Sequence, residues 1–370
     1  MKNSVCSFVL VLLCIVLCVT VALCGVSSIG LKSVMDEDAI NKGLDLVGGS
    51  SITFKALHDE TNAEFDMNDV ASFTDYKELL NMEGLDYVDI CTPNYLHSII
   101  AVEALEKGIN VFCEKPDAVS VSEAQRMMDA AEKSGKKLMV MRNNRYRKTA
   151  QYLKKYIEDG KMGEIYCGRC GWQRRRGIPG KGGWFTTKEQ SGGGPLIDLG
   201  VHMIDLAIWL MGNPTPVSVS GCTYAKFADS DVSDSVHSDF GEKKADGVFD
   251  VEDLAMGFIR FENGACLQIE FSWASNIEEE NAFVELRGTK AGMEFKNDGV
   301  KIFTENAGVL ENIIPKVKDV TGIHGENIRH FADVLQNGAE PDFTPVQGVN
   351  MIKILEAMYK SAETGNEVKL

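Results

Sequence analysis

Between residues 75 and 141, short apolar runs alternate with longer helical ones, and this rhythm restricts the fold more than any other feature of the chain. Residues 75–80 read as helical and 87–91 as a strand ending in Thr92-Pro93-Asn94, with a helix at 96–107. Next come a strand at 110–113, a helix at 121–134 opened by Ser120 and Glu123 as a capping box, and a strand at 137–141. Upstream, 19–24 reads as a buried first strand and 52–57 as another. A strand–helix alternation of this kind predicts an α/β, doubly wound parallel sheet with helices on both faces. After residue 149 the character changes. A helix at 149–159 precedes strand-like runs at 164–172, 216–224, 254–261, 266–273, 283–286 and 301–304, and helices at 325–335 and 346–364 close the chain. Asn263-Gly264 is a hairpin turn, and strands in series predict an open, largely antiparallel sheet in a C-terminal α+β domain. The expected organisation is an apolar extension at 1–18, one domain at 19–148 and a second at 149–370, with 227–247 as a long surface loop.

With 370 residues and 44% hydrophobic content the chain can bury two cores. Its formal net charge of −16 argues against nucleic acid or an anionic membrane surface as partner, since both require a basic patch. Ten scattered cysteines suit a reducing compartment. Cys167 and Cys170 have metal-like spacing, but no second ligand pair follows and a strand would turn them to opposite faces, so no metal is expected. Residues 5–23 are almost unbroken apolar sequence and compete as a leader or anchor with the strand at 19–24. The strand reading implies a cytoplasmic protein; the other implies an exported or membrane-anchored one.

The stretch from Ser191 to Asp205 carries a glycine run, then Pro195 at a helix start, then an apolar helix expected over 197–211. Asp198 and His202 lie four residues apart on one face of it, just after what reads as a flexible glycine mouth. An acid beside an imidazole suits proton transfer; the plain alternative is an acid at a helix N-terminus and an incidental histidine. Glu114-Lys115-Pro116 follows the strand at 110–113. These two motifs, in this order, resemble the glucose–fructose oxidoreductase and inositol dehydrogenase family, which carries a Glu-Lys-Pro at a cofactor-domain strand end and a Gly-Gly-Gly-x-x-x-Asp-x-Gly-x-His helix in a second domain. The resemblance runs from about residue 19 to the C-terminus. It implies a Rossmann-like first domain, a nicotinamide cofactor, and Lys115, Asp198 and His202 as catalytic groups.

A dinucleotide needs a glycine-rich turn after the first strand, so that its pyrophosphate can sit on backbone N–H groups. The candidate is Gly25 to Gly30, with Ile29 before the last glycine and Ser27 where the middle glycine of the usual pattern would stand. Asp59, after the second strand, is the candidate for the ribose hydroxyls; an acid there favours NAD over NADP. Thr92, Pro93, Asn94 and His97 fall at the C-terminal edge of the third strand, where such sheets bind ligands. The resemblance adds Glu114 and Lys115 near the nicotinamide ribose. His202 then fits the base and Lys115 the alkoxide stabiliser, while Asp198 holds the substrate hydroxyl or tunes His202. Arg145, Trp172, Arg176 and Trp184 are candidates to bind a polyhydroxylated substrate, or are packing and surface residues. The reading is an NAD-dependent oxidoreductase acting on a secondary alcohol of a sugar, glycoside or cyclitol, assembled as a homo-oligomer (dimer or tetramer). Its rivals are NAD-assisted glycoside cleavage, a membrane-tethered sensor, and a non-catalytic member whose cofactor site Ser27 has impaired.

Overall fold

The computed structural model describes residues 71–228, 244, 246–297, 299–318 and 322–370. The segments expected at 1–18, 19–24 and 52–57, the turn with Gly25, Ser27, Ile29 and Gly30, and Asp59 lie outside the described residues, as does most of the loop expected at 227–247. Residues 50–370 belong to one compact unit, and the account below concerns its described part.

After a short helical turn (Tyr76–Leu79) come three parallel strands in the order β1-β2-β3: β1 (Tyr87–Ile90), β2 (Asn110–Cys113) and β3 (Leu138–Val140). Val111, Phe112 and Cys113 are all buried in succession, as a strand covered on both faces requires. Helix α1 (Asn94–Glu106) and helix α2 (Val121–Ser134) are the crossovers. The Ser120 hydroxyl accepts from the Glu123 N–H at 3.3 Å and starts α2, and Gly135 at φ 68° ends it. After a 3-10 turn (Asn143–Tyr146), α3 (Lys148–Glu158) leads into the second sheet.

That sheet has nine strands in the order β11-β10-β9-β8-β4-β7-β6-β5-β12. They are β4 (Ile165–Gln173), β5 (Pro216–Tyr224), β6 (Leu254–Phe261), β7 (Cys266–Ser272), β8 (Asn281–Gly288), β9 (Ala291–Lys296), β10 (Gly299–Asn306), β11 (Val309–Ile313) and β12 (Val368–Lys369). Every pairing is antiparallel except β4 with β7. The Asn263-Gly264 turn joins β6 to β7, with Gly264 at φ 84°. Helix α4 (Val201–Leu210) lies on β4 and β8. Helix α5 (Ile323–Asn337) meets the 3-10 turn, and α6 (Pro345–Thr364) runs along β5 to reach α2. One hydrophobic core is continuous across both sheets, from Val88 and Phe112 through Leu206 to Phe271 and Leu355. Among the described residues, one helical stretch, Lys188–Leu210, is long and apolar enough to cross a membrane; 83% of its apolar window is buried within the protein, as a core helix requires. Strands β9 and β11 were not expected. In β9, Gly292 interrupts the apolar pattern although Ala291, Met293 and Phe295 alternate inward, and β11 buries too little to leave an apolar pattern.

Candidate active site

The glycine run before α4 is packed, not flexible, which corrects the reading from sequence. Gly192 has φ 85°, while an added Cβ at Gly193 would overlap the Tyr359 hydroxyl and one at Gly194 the Glu252 backbone oxygen. The buried Glu252 carboxylate accepts from Gly194 N–H at 3.0 Å, Leu196 N–H at 3.2 Å and the Tyr359 hydroxyl at 2.9 Å. An anion there satisfies the free donors of a helix start, though burial still pushes its pKa up. Pro195 then opens the helix as expected, but its first turn, Leu196–Gly200, is a π turn before α4 begins. Such wide turns recur where a helix must present a side chain to chemistry.

Asp198 sits in that π turn and reaches across to the strand end after β2. Lys115 Nζ donates to Asp198 Oδ1 at 2.9 Å and to its backbone oxygen at 3.0 Å. Trp273 Nε1 donates to Asp198 Oδ2 at 2.9 Å. Burial would raise the Asp198 pKa, but the charges of Lys115 and Arg174 and these hydrogen bonds outweigh it and hold it at about 2. Its carboxylate is thus turned to Lys115 and Trp273 rather than bonded to His202. The His202 ring lies 6.1 Å from that of Trp172. Burial, then the neighbouring Lys115 charge, drive the His202 pKa well below its ordinary value, so the imidazole is neutral.

Behind this centre lies a buried charge network that sequence reasoning missed. Arg142, just past β3, donates through Nη2 to Asp117 at 2.6 Å and through Nε to Asp205 Oδ1 at 3.0 Å. Arg145 donates to Asp205 through Nε at 2.8 Å and Nη2 at 2.7 Å, and also to the Asp342 backbone oxygen and Gln347. Asp117 lies two residues after Lys115, and Asp205 three after His202, so the network ties the lysine loop to the helix. The Arg145 guanidinium is spent here and buried, which corrects its expected place against substrate.

A cleft of about 580 Å³ opens at the centre, lined by Glu114, Lys115, Asn143, Trp172, His202 and Asn281 among others. Asn144 lines it too. Asn143 Oδ1 and Asn281 Oδ1 are buried and unpaired, a demand for ligand donors that sequence gave no sign of. The remaining candidates divide. The Thr92 hydroxyl is buried and unpaired at the C-terminal sheet edge, and Pro93 caps α1. Asn94 Nδ2 is committed to the Ser191 carbonyl at 2.7 Å. His97 is turned inward, its ring nitrogens on the carbonyls of Pro116 at 2.7 Å and Thr92 at 2.8 Å, so it clamps two loops and offers nothing to a ligand. Arg176 is held by the Ser275 carbonyl and Asn276 Oδ1, and Trp184 stacks on Phe185; neither lines the cleft. Thr92, Glu114 and Lys115 all follow the C-terminal ends of parallel strands, and with the orphaned Thr92 hydroxyl this edge fits the nicotinamide half of a dinucleotide.

A lysine at the C-terminal edge of a parallel sheet, ion-paired to an aspartate at the start of a helix on the second sheet, is an arrangement that suits an oxidoreductase, and the family matches establish that class. The chain belongs to the oxidoreductase family with an NAD-binding Rossmann fold, matched at residues 19–142, and an alpha/beta C-terminal domain, matched at 154–370. It is 35% identical over 286 residues to D-glucoside 3-dehydrogenase of Escherichia coli, covering 77% of this chain and 79% of that protein. The structure of GenD2 from gentamicin A biosynthesis, in complex with NAD, matches 80% of this chain and 82% of its own with a TM-score of 0.63 and 27% identity. Levoglucosan dehydrogenase, in complex with NADH and levoglucosan, has the same fold, with a TM-score of 0.69 and 24% identity over 80% of this chain and 83% of its own.

Proposed function

We propose that the protein oxidises a secondary hydroxyl of a sugar, glycoside or cyclitol with NAD as acceptor. The carrying observation is that Lys115, paired to Asp198 at 2.9 Å, lines one cleft together with His202. Glu114, Lys115 and the Thr92 turn would hold the nicotinamide end of the cofactor. When bound, the nicotinamide supplies the acceptor for the hydride from the carbinol carbon. An uncharged imidazole nitrogen of His202 takes the hydroxyl proton, and Lys115 Nζ donates to the oxygen as negative charge develops on it. Trp172 offers an apolar face for the ring. The names of the relatives support this reading of the substrate.

The division into a cofactor-binding part ending near residue 148 and a substrate-binding part from 149 belongs to the proposal, supported by the two family matches that flank that point. So does a homo-oligomer, supported by exposed apolar side chains on strands of the large sheet, among them Tyr166, Val217 and Phe303. A cytoplasmic location is supported by the six described cysteines being free thiols. The test is calorimetric binding of NAD⁺ and NADP⁺, followed by absorbance of the reduced cofactor with a panel of aldoses, methyl glycosides and inositols. Reduction of NAD⁺ by a member of the panel is expected. Folded protein that binds neither cofactor, or binds NAD⁺ and reduces it with none of them, overturns the proposal.

A further inference from the structure

We infer that Trp273 is a positioning residue of the reaction centre, its indole N–H fixing the orientation of the Asp198 carboxylate that holds Lys115. This rests on the reading of Lys115 and His202 as the reacting groups. Trp273 follows β7 directly, is fully buried, and donates its backbone N–H to the Asp253 carbonyl at 3.0 Å, so the indole has a fixed seat. An indole has one donor and no acceptor, and a buried one must find a partner. Here the partner is a carboxylate 75 positions away in sequence.

The consequence follows from counting donors and acceptors. Each Asp198 oxygen carries one donor, Lys115 on Oδ1 and Trp273 on Oδ2. The charged and titratable groups facing it are Lys115, Arg174 and His202, and Arg174 lies over the Trp172 ring at 5.3 Å. With two cations beside it and a donor on each oxygen, Asp198 stays ionised and is a poor base. Lys115 has three ammonium protons, and two are taken by the carboxylate and backbone oxygens of Asp198. The third is left for the substrate oxygen in the cleft that Lys115 lines. If Oδ2 lost its donor, the carboxylate could rotate about its bond to Cβ, and the direction of that third proton would go with it. Trp273 therefore acts on the reaction through Asp198 and Lys115, without touching substrate.

The full-length protein tests this in two ways. Trp273→Phe keeps an aromatic ring and removes the N–H; the signal it lacks assigns the Trp273 indole among the chain's four tryptophans in a ¹⁵N spectrum. Asp198→Asn is expected to shift that signal, because a neutral amide oxygen replaces a carboxylate. An indole signal indifferent to Asp198→Asn overturns the inference, and this readout needs no substrate, so it stands or falls apart from the proposed function. In turnover, Trp273→Phe is expected to lower kcat about ten-fold, the scale of one hydrogen bond to a charged group, with KM nearly unchanged. The double variant with Lys115→Met is expected to be no slower than Lys115→Met alone. Additive losses, or a drop confined to thermal stability, would assign Trp273 a packing role only.

Discussion

Asp205 offers the sharpest test of how the lysine loop is held against the helix. It is only 6% exposed and accepts three guanidinium hydrogen bonds, at 3.0 Å from Arg142 and at 2.8 and 2.7 Å from Arg145. Asp205→Asn keeps the volume but removes the charge, and its amide N–H groups would point at guanidinium donors. Arg142 would keep Asp117, while Arg145 would be left with the Asp342 carbonyl and Gln347 and no carboxylate. Removing one partner from a buried ionic network costs about 3–5 kcal/mol, because the partners left behind were already desolvated. At about 2–4 °C per kcal/mol, the midpoint of thermal unfolding should fall by about 10 °C. Urea titration followed by circular dichroism measures the loss directly. Glu285→Gln is the comparison: it breaks a bidentate contact to Arg169 of 2.6 and 2.7 Å, but on an exposed pair, and should cost less than about 1 kcal/mol. Equal losses in the two variants would show that burial does not make the Asp205 network costly to break, and would refute the reasoning.

Lys115→Met should lower kcat by about 10²–10³-fold while the Kd for NAD⁺ changes little, since the lysine acts on charge that develops in the reaction; an unchanged kcat would remove it from the mechanism. Because the folded pKa of His202 lies well below its ordinary value, the neutral base form is present throughout neutral pH. A plot of kcat/KM against pH should therefore stay flat through about 6.5, where an ordinary histidine would halve it, and fall only in more acidic solution; a half-point near 6.5 would contradict this. Gly194→Ala should destabilise the protein by about 1–3 kcal/mol by forcing the helix start off Glu252, whereas Gly325→Ala, with open space around it, should be nearly neutral; urea titration of both variants checks this.

Local pattern carried much of the fold. The strand at 110–113 and the helix at 121–134 fall where apolar spacing and the Ser120 cap put them, because burial on both faces and an N-cap are written in neighbouring residues. Strand β9 escaped because a glycine in a strand reads locally as a break, and only pairing with β8 and β10 completes it. At the site, Lys115, Asp198 and His202 were legible from two motifs. What their neighbours do was not: His97 and Arg145 look as suited to ligand binding as Thr92 or Trp172 until their partners are known.

The sequence by itself located most of the elements and, through two motifs that resemble the family, singled out Lys115, Asp198 and His202 as candidates, since periodicity, capping and short motifs act over a few residues. Tertiary structure alone decided that Asp198 serves Lys115 and Trp273 rather than His202, that Arg142 and Arg145 are bound to Asp205, and that the glycine run is a packing joint. Each of these is a contact between residues about 50 or more positions apart. The physical reason is desolvation: once a polar group is buried, the partner that satisfies it is chosen by whatever the fold brings within hydrogen-bond reach, and sequence distance has no bearing on that choice.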